Sequence, residues 1–137
     1  MRRVVTRRGM TTLVALCGFA ALAPEAPAAA MPIPATTIVL ERAGGFAGAR
    51  DSFVVDGSTV GGQRPRRMAG SPAFRRLRGS YQPANACCDR YSYRITVTYR
   101  GGYRKTVSTV QGVPAPRVLW QVIAEVERVG TRSPGTP

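Results

Sequence analysis

Of the side chains that most often carry chemistry, histidine is absent from the chain. That removes the commonest general base, the Ser-His and Cys-His nucleophile pairs, and every zinc site that needs an imidazole. Beyond residue 30 the carboxylates are Glu41, Asp51, Asp56, Asp89, Glu125 and Glu127. They are scattered, no two fall in a two-carboxylate hydrolase motif, and ordinary surface charge is the simpler reading. The cluster Gly44, Gly45, Gly48 lacks a following Lys and Ser/Thr and opens a strand instead of a helix, so it is not a phosphate-cradling loop. The sequence reads as a non-enzyme with no cofactor and no metal.

Cys87 and Cys88 are adjacent. Neighbouring α-carbons across a trans peptide lie about 3.8 Å apart, below the usual disulfide range of roughly 4.4 to 6.8 Å. A bond between them is a strained vicinal disulfide, the reading placed first. Disulfides to a second chain, free thiols and soft metal ligands are the alternatives. The two-residue spacer of a redox CxxC motif is missing.

The most informative motif is therefore one for binding. Gly44, Gly45, Phe46, Ala47 and Gly48 form a glycine-rich tip flanked by Arg42 and Arg50. Its three glycines permit positive φ and close backbone approach, so the loop holds a tight shape while presenting one aromatic ring. Phe46 either folds back to cap the core or points outward as an anchor for a partner. A second cluster, Arg94, Arg100 and Arg104 among Tyr91, Tyr93, Tyr99 and Tyr103, interleaves cations and aromatics as single-strand binders do. The tyrosines alternate in phase with Ile95 and Val97, however, and so face the core. No nucleic acid partner is expected.

These motifs need elements to position them. Thr37 to Leu40 and Ser52 to Val55 are β-prone, with Ile38 and Leu40 on one face, so the tip joins a hairpin. The strand is expected to break at Ala43. Gly61, Gly62 and Pro65 oppose a continuous helix, whereas Ser71 followed by Pro72 starts a short one over Pro72 to Arg78, with Phe74 and Leu77 inward. Tyr91 to Tyr99 alternates strictly as a half-buried strand. Its return past Gly101 and Gly102 matches apolar residues best with a three-residue loop, Arg100 to Gly102, setting Val107 opposite Ile95 and Tyr103 opposite Tyr99. Val118, Leu119, Val122, Ile123 and Val126 recur at helical spacing from about Pro116 to Val129, and Gly130 ends the run. The expectation is an α+β domain over residues 36–129: a small antiparallel sheet of about four strands in two hairpins, packed by a C-terminal amphipathic helix and a short middle helix. Residues 31–35 read as an extended leader and 130–137 as a flexible tail.

The first thirty residues read as an address. Arg2, Arg3, Arg7 and Arg8 precede an apolar run from Leu13 to Leu22, too short to span a bilayer, and Ala-x-Ala patterns end at Ala28 and Ala30. This predicts a cleaved export signal and a secreted protein with no stable membrane insertion after cleavage. Gly9, Met10 and Thr11 lack the hydrophobic pair of a twin-arginine signal, so the general secretory route is expected. The formal net charge is +13; without the signal sixteen Lys and Arg stand against six Asp and Glu, about +10. Such a balance suits an acidic partner: an acidic protein, an anionic polymer or a membrane surface.

The stretches TTIVLERAGGFAG, DRYSYRITV, GGYRKTV and VPAPRVLWQVI, in that order, resemble the emfourin family, proteinaceous inhibitors of protealysin and related thermolysin-like zinc metalloproteases. The likeness spans about Thr36 to Val129. It implies an antiparallel sheet with helical packing and a function of blocking a protease cleft. Carried over residue by residue, it assigns partner binding to Gly44, Gly45, Phe46, Ala47 and Gly48, with Arg42 and Arg50 as flanking candidates. The arginine-rich middle and its CCD triplet depart from the family pattern. The expected function is a secreted inhibitor of a metalloprotease with an acidic cleft, the cationic flanks making inhibition salt-sensitive. The alternatives are an exported basic module that holds anionic polymer or envelope, and a metal-binding or thiol-redox protein centred on Cys87 and Cys88.

Overall fold

A computed structural model describes residues 30–85 and 89–134. The expected export signal up to residue 29, the Cys87–Cys88 pair and the last three residues lie outside them. The first strand, β1 (Ala35–Gly44), buries Ile38 and Leu40 completely and turns Glu41 to solvent. It pairs antiparallel with β2 (Ala49–Val55) in a register that sets Leu40 opposite Phe53 and Arg42 opposite Asp51. The ladder does not break at Ala43: it continues through Gly44, which faces Ala49. A strand between two paired neighbours gains hydrogen bonds on both sides, and that outweighs the poor strand propensity of glycine.

The next segment holds a helix that the sequence spoke against, α1 (Gln63–Ala69). Gly62 is its N-cap and Pro65 its third residue. In that first turn the backbone N–H has no intrahelical acceptor, so proline loses nothing there. A second helix, α2 (Pro72–Arg75), starts as expected: the Ser71 hydroxyl accepts from the Phe74 N–H at 3.2 Å and Pro72 occupies the first turn. It stops at Arg75 instead of Arg78, yet Phe74 and Leu77 are both buried. A two-residue strand, β3 (Ser80–Tyr81), follows.

The second hairpin matches expectation in register. In β4 (Tyr91–Tyr99) Tyr93, Ile95, Val97 and Tyr99 are buried, and in β5 (Arg104–Val110) Val107 faces Ile95. Arg100, Gly101 and Gly102 form the loop, with φ of +94° and +86° at the glycines, and the Tyr99 N–H donates to the Tyr103 carbonyl at 2.8 Å. Burial pushes the Tyr99 hydroxyl up to about 12, so it stays protonated and donates to the Ala69 carbonyl at 3.0 Å. The amphipathic helix α3 (Arg117–Val129) buries Leu119, Val122, Ile123 and Val126.

Past Gly130 the expected loose tail instead adds β6 (Thr131–Pro134) to the outer side of β2. Arg132 ties it there, since its guanidinium reaches Asp51 of β2 at 2.7 Å. The fold is α+β, as expected, but the sheet has six strands in the order β3-β5-β4-β1-β2-β6 and is mixed, because β3 runs parallel to β5. Four antiparallel strands in two hairpins form its centre, and two short segments cap its edges. All three helices cover one face: Ile38, Leu40, Phe53, Val55, Ile95, Val97 and Val107 turn to it, and the other face carries Glu41, Arg50, Arg94, Thr96 and Thr106.

Candidate functional site

The β1–β2 tip is a β-turn closed by the Gly48 N–H donating to the Gly45 carbonyl at 3.0 Å, with Phe46 and Ala47 at its centre. Gly44, Gly45 and Gly48 have φ of +102°, +72° and +60°, conformations that favour glycine. Phe46 is 96% exposed, so the ring points outward and does not cap the core. Ala47, Gly48 and Arg50 are also exposed, and Gly45 is half-buried.

Gly45 is half-buried because the tip rests on β4. A Cβ at Gly45 would stand 2.8 Å from the Tyr91 ring, and one at Gly44 2.6 Å from the Arg90 carbonyl oxygen. The Gly45 N–H points to that same oxygen at 3.4 Å. Both glycines thus let the turn settle against its neighbouring strand at a distance no side chain permits.

Arg42 sits beneath this contact. Its guanidinium donates to Asp51 Oδ2 at 2.7 Å and to Glu127 Oε1 at 2.8 Å, and it lies over the rings of Tyr91 and Phe53, 4.9 and 5.4 Å from their centroids. Asp51 is buried, and its Oδ1 also accepts from Arg132 Nε at 2.9 Å and Nη2 at 2.7 Å. Hydrogen bonds from Arg42 first, then from Arg132, hold the Asp51 carboxyl below its ordinary range, and the bond to Asp51 chiefly holds Arg42 above its own. One network thereby joins β1, β2, β6 and α3 at the root of the tip.

Arg42 is consequently not the cationic flank that the sequence suggested, because its charge is spent inside the molecule. Arg50 fits that role, being exposed and in no ion pair among the described residues. On the open sheet face it borders a shallow depression with Glu41, Ala43, Ser52, Ser92 and Arg94. No family model, no curated protein and no solved structure matches the chain.

The sequence reading missed Asp51, Glu127, Arg132 and Tyr91 as supports. A signal for the first was present: a four-residue turn at residues 45–48 puts Arg42 opposite Asp51, an opposite-charge cross-strand pair. Glu127 and Arg132 come from 85 and 81 residues away along the chain, and no local pattern announces them. Among the described residues no three Cys, Asp or Glu side chains converge on a metal-sized site.

Proposed function

We propose that the chain is a secreted, non-enzymatic inhibitor that inserts its Phe46 turn into the substrate cleft of a thermolysin-like zinc metalloprotease. The observation that carries the reading is the projection of Phe46, almost wholly exposed, from a turn braced against β4. The resemblance to the emfourin pattern supports it, since the GGFAG segment that carries part of that resemblance is the part of the chain that forms this projection.

Mechanistically, the braced turn loses little conformational freedom on docking, which lowers the cost of association. Burying the Phe46 ring in a cleft contributes about 1.5–3 kcal/mol of apolar transfer. The glycines on either side let the cleft walls approach the backbone, and Arg50 adds attraction to acidic surroundings.

The test is titration of the purified protein against thermolysin and a protealysin-type enzyme while peptide hydrolysis is followed. Inhibition at micromolar protein is expected, and no slowing at that concentration removes the reading for these targets. Phe46→Ala is expected to weaken inhibition by about tenfold or more, as for an interface anchor, with the thermal midpoint unchanged because the ring touches no core. If the chain is instead an exported basic module on anionic polymer or envelope, polymer binding survives that substitution.

A further inference from the structure

Among the described residues the exposed large apolar or aromatic side chains are Met31, Ile33, Phe46, Val60 and Tyr103. Three of them gather at the end of the sheet opposite the tip. Met31 is 81%, Ile33 38% and Tyr103 61% exposed. The leader that carries the first two is fastened to the domain, and its last residue, Ala35, already belongs to β1. The Ile33 N–H donates to the Gly70 carbonyl at 3.1 Å, Arg75 Nη2 to the Met31 carbonyl at 2.7 Å, and the Arg100 N–H to the Pro34 carbonyl at 3.1 Å. Tyr103 joins the same end by stacking on Tyr99, ring centroids 5.6 Å apart, and the Tyr99 hydroxyl is bonded at the last residue of α1.

Arginines lie beside this apolar group. Arg66 and Arg67 of α1 line the groove along Pro32 to Ala35, while the Arg75 side chain holds the leader at Met31 and the Arg100 backbone N–H holds it at Pro34. None of the four makes an ion pair among the described residues. Exposed apolar side chains beside several arginines that form no ion pair among the described residues match a two-part target, one that offers anionic oxygens and, directly behind them, hydrocarbon. A soluble polyanion offers only the first part.

We propose that this face docks on an anionic phospholipid surface: Arg66, Arg67, Arg75 and Arg100 engage headgroup phosphates while Met31, Ile33 and Tyr103 enter the boundary between headgroups and acyl chains. Tyrosine suits that depth, because its ring is apolar and its hydroxyl stays wet. Docking is peripheral, as no helix among the described residues is long and apolar enough to cross a membrane. Nine residue steps of β1, at roughly 3.3 Å each, separate Ala35 from Gly44, so the Phe46 turn lies about 30 Å along the strand from the docking residues. This proposal is independent of protease inhibition and is read with lipid alone.

The test is co-sedimentation of the full-length protein with vesicles of phosphatidylcholine, pure or mixed with phosphatidylglycerol in a roughly two-to-one ratio. Binding to the mixed vesicles and not to the pure ones is expected, weakening as salt rises. In the same protein, Arg67→Gln with Arg100→Gln is expected to lower partitioning by roughly tenfold or more. Met31→Ser with Ile33→Ser is expected to weaken it several-fold, by removing apolar surface from the lipid. The Leu13–Leu22 run and the N-terminal arginines are common to all variants, so differences belong to this face. Thermal melting establishes that each variant is folded; a melted variant is replaced by Tyr103→Ser, which changes an exposed ring. Partitioning unchanged in both variants overturns the proposal. So does charge-dependent binding that ignores the serine substitutions and is matched by soluble polyphosphate, because the face is then a polyanion site.

Discussion

Arg42 illustrates how one side chain is diverted from an outward role to an inward one. It alternates in phase with Ile38 and Leu40 and so points to the helical side, where Asp51, Glu127 and two aromatic rings receive it. Arg42→Ala removes charge-assisted hydrogen bonds worth about 1.5–3 kcal/mol and leaves Asp51 with Arg132 alone. A fall of that size in urea-unfolding stability is expected, together with weaker inhibition as the root of the turn loosens. Asp51 gives the network a pH dependence. Its folded-state pKa lies below the unfolded value, so the stability it contributes is fully present above the ordinary carboxylate pKa of about 3.9. That stability is lost as pH falls through this value toward the folded one. Asp56, lowered first by the Ser58 hydroxyl, and Glu125, lowered first by Arg128, act in the same direction. Urea midpoints at pH 7 and near pH 3 should therefore differ in the wild type, and differ less in Asp51→Asn, which is also weaker at pH 7. An undiminished acid response in that variant would show that the network is not its source. The half of this cluster within one hairpin was legible from cross-strand pairing, whereas the half that closes over 85 and 81 residues was not.

Among the elements, those with a strong apolar period were readable. The alternation from Tyr91 to Tyr99 fixed strand, face and loop length together, because one residue of slippage would bring Val107 against Thr96 instead of Ile95. The 3.6-residue period gave α3 to within a residue, and Ser71–Pro72 gave the start of α2. The unread elements lack that support. In α1 the one proline argues against a helix until its first-turn position is known, and β3 and β6 are two and four residues long, too short to show a period. Within the tip the glycines are not equivalent. An added Cβ at Gly44 meets the Arg90 carbonyl at 2.6 Å, while one at Gly48 meets nothing within 4 Å. Gly48→Ala is thus expected to cost about 1–2 kcal/mol of left-handed strain alone. Gly44→Ala adds a backbone collision and should lower the thermal midpoint further, and should also weaken inhibition more. Equal melting of the two variants would indicate that the turn is not seated on β4.

At the scale of the whole molecule, charge and shape divide the work. The excess of Arg and Lys gives every encounter with an acidic partner a long-range pull, which mobile ions screen beyond a Debye length of about 10 Å at 0.1 M salt. The association rate with a target protease is expected to fall as salt rises. Arg50→Glu should flatten that dependence more than Arg42→Met does, because of these two Arg50 alone is exposed and in no ion pair among the described residues. Stopped-flow inhibition at several ionic strengths measures both slopes. The flanks of the sheet carry a different consequence. Its outermost members are its shortest, Ser80–Tyr81 on one side and Thr131–Pro134 on the other, and the latter ends in a residue with no N–H to offer. A further copy arriving beside β2 finds its rim largely taken by β6, whereas β3 pairs only Ser108 and Thr109 of β5, and Arg104 places positive charge on the stretch of β5 left open. Short outer strands and charge on the open stretch thereby discourage edge-to-edge pairing between copies, the route by which strand-rich proteins aggregate.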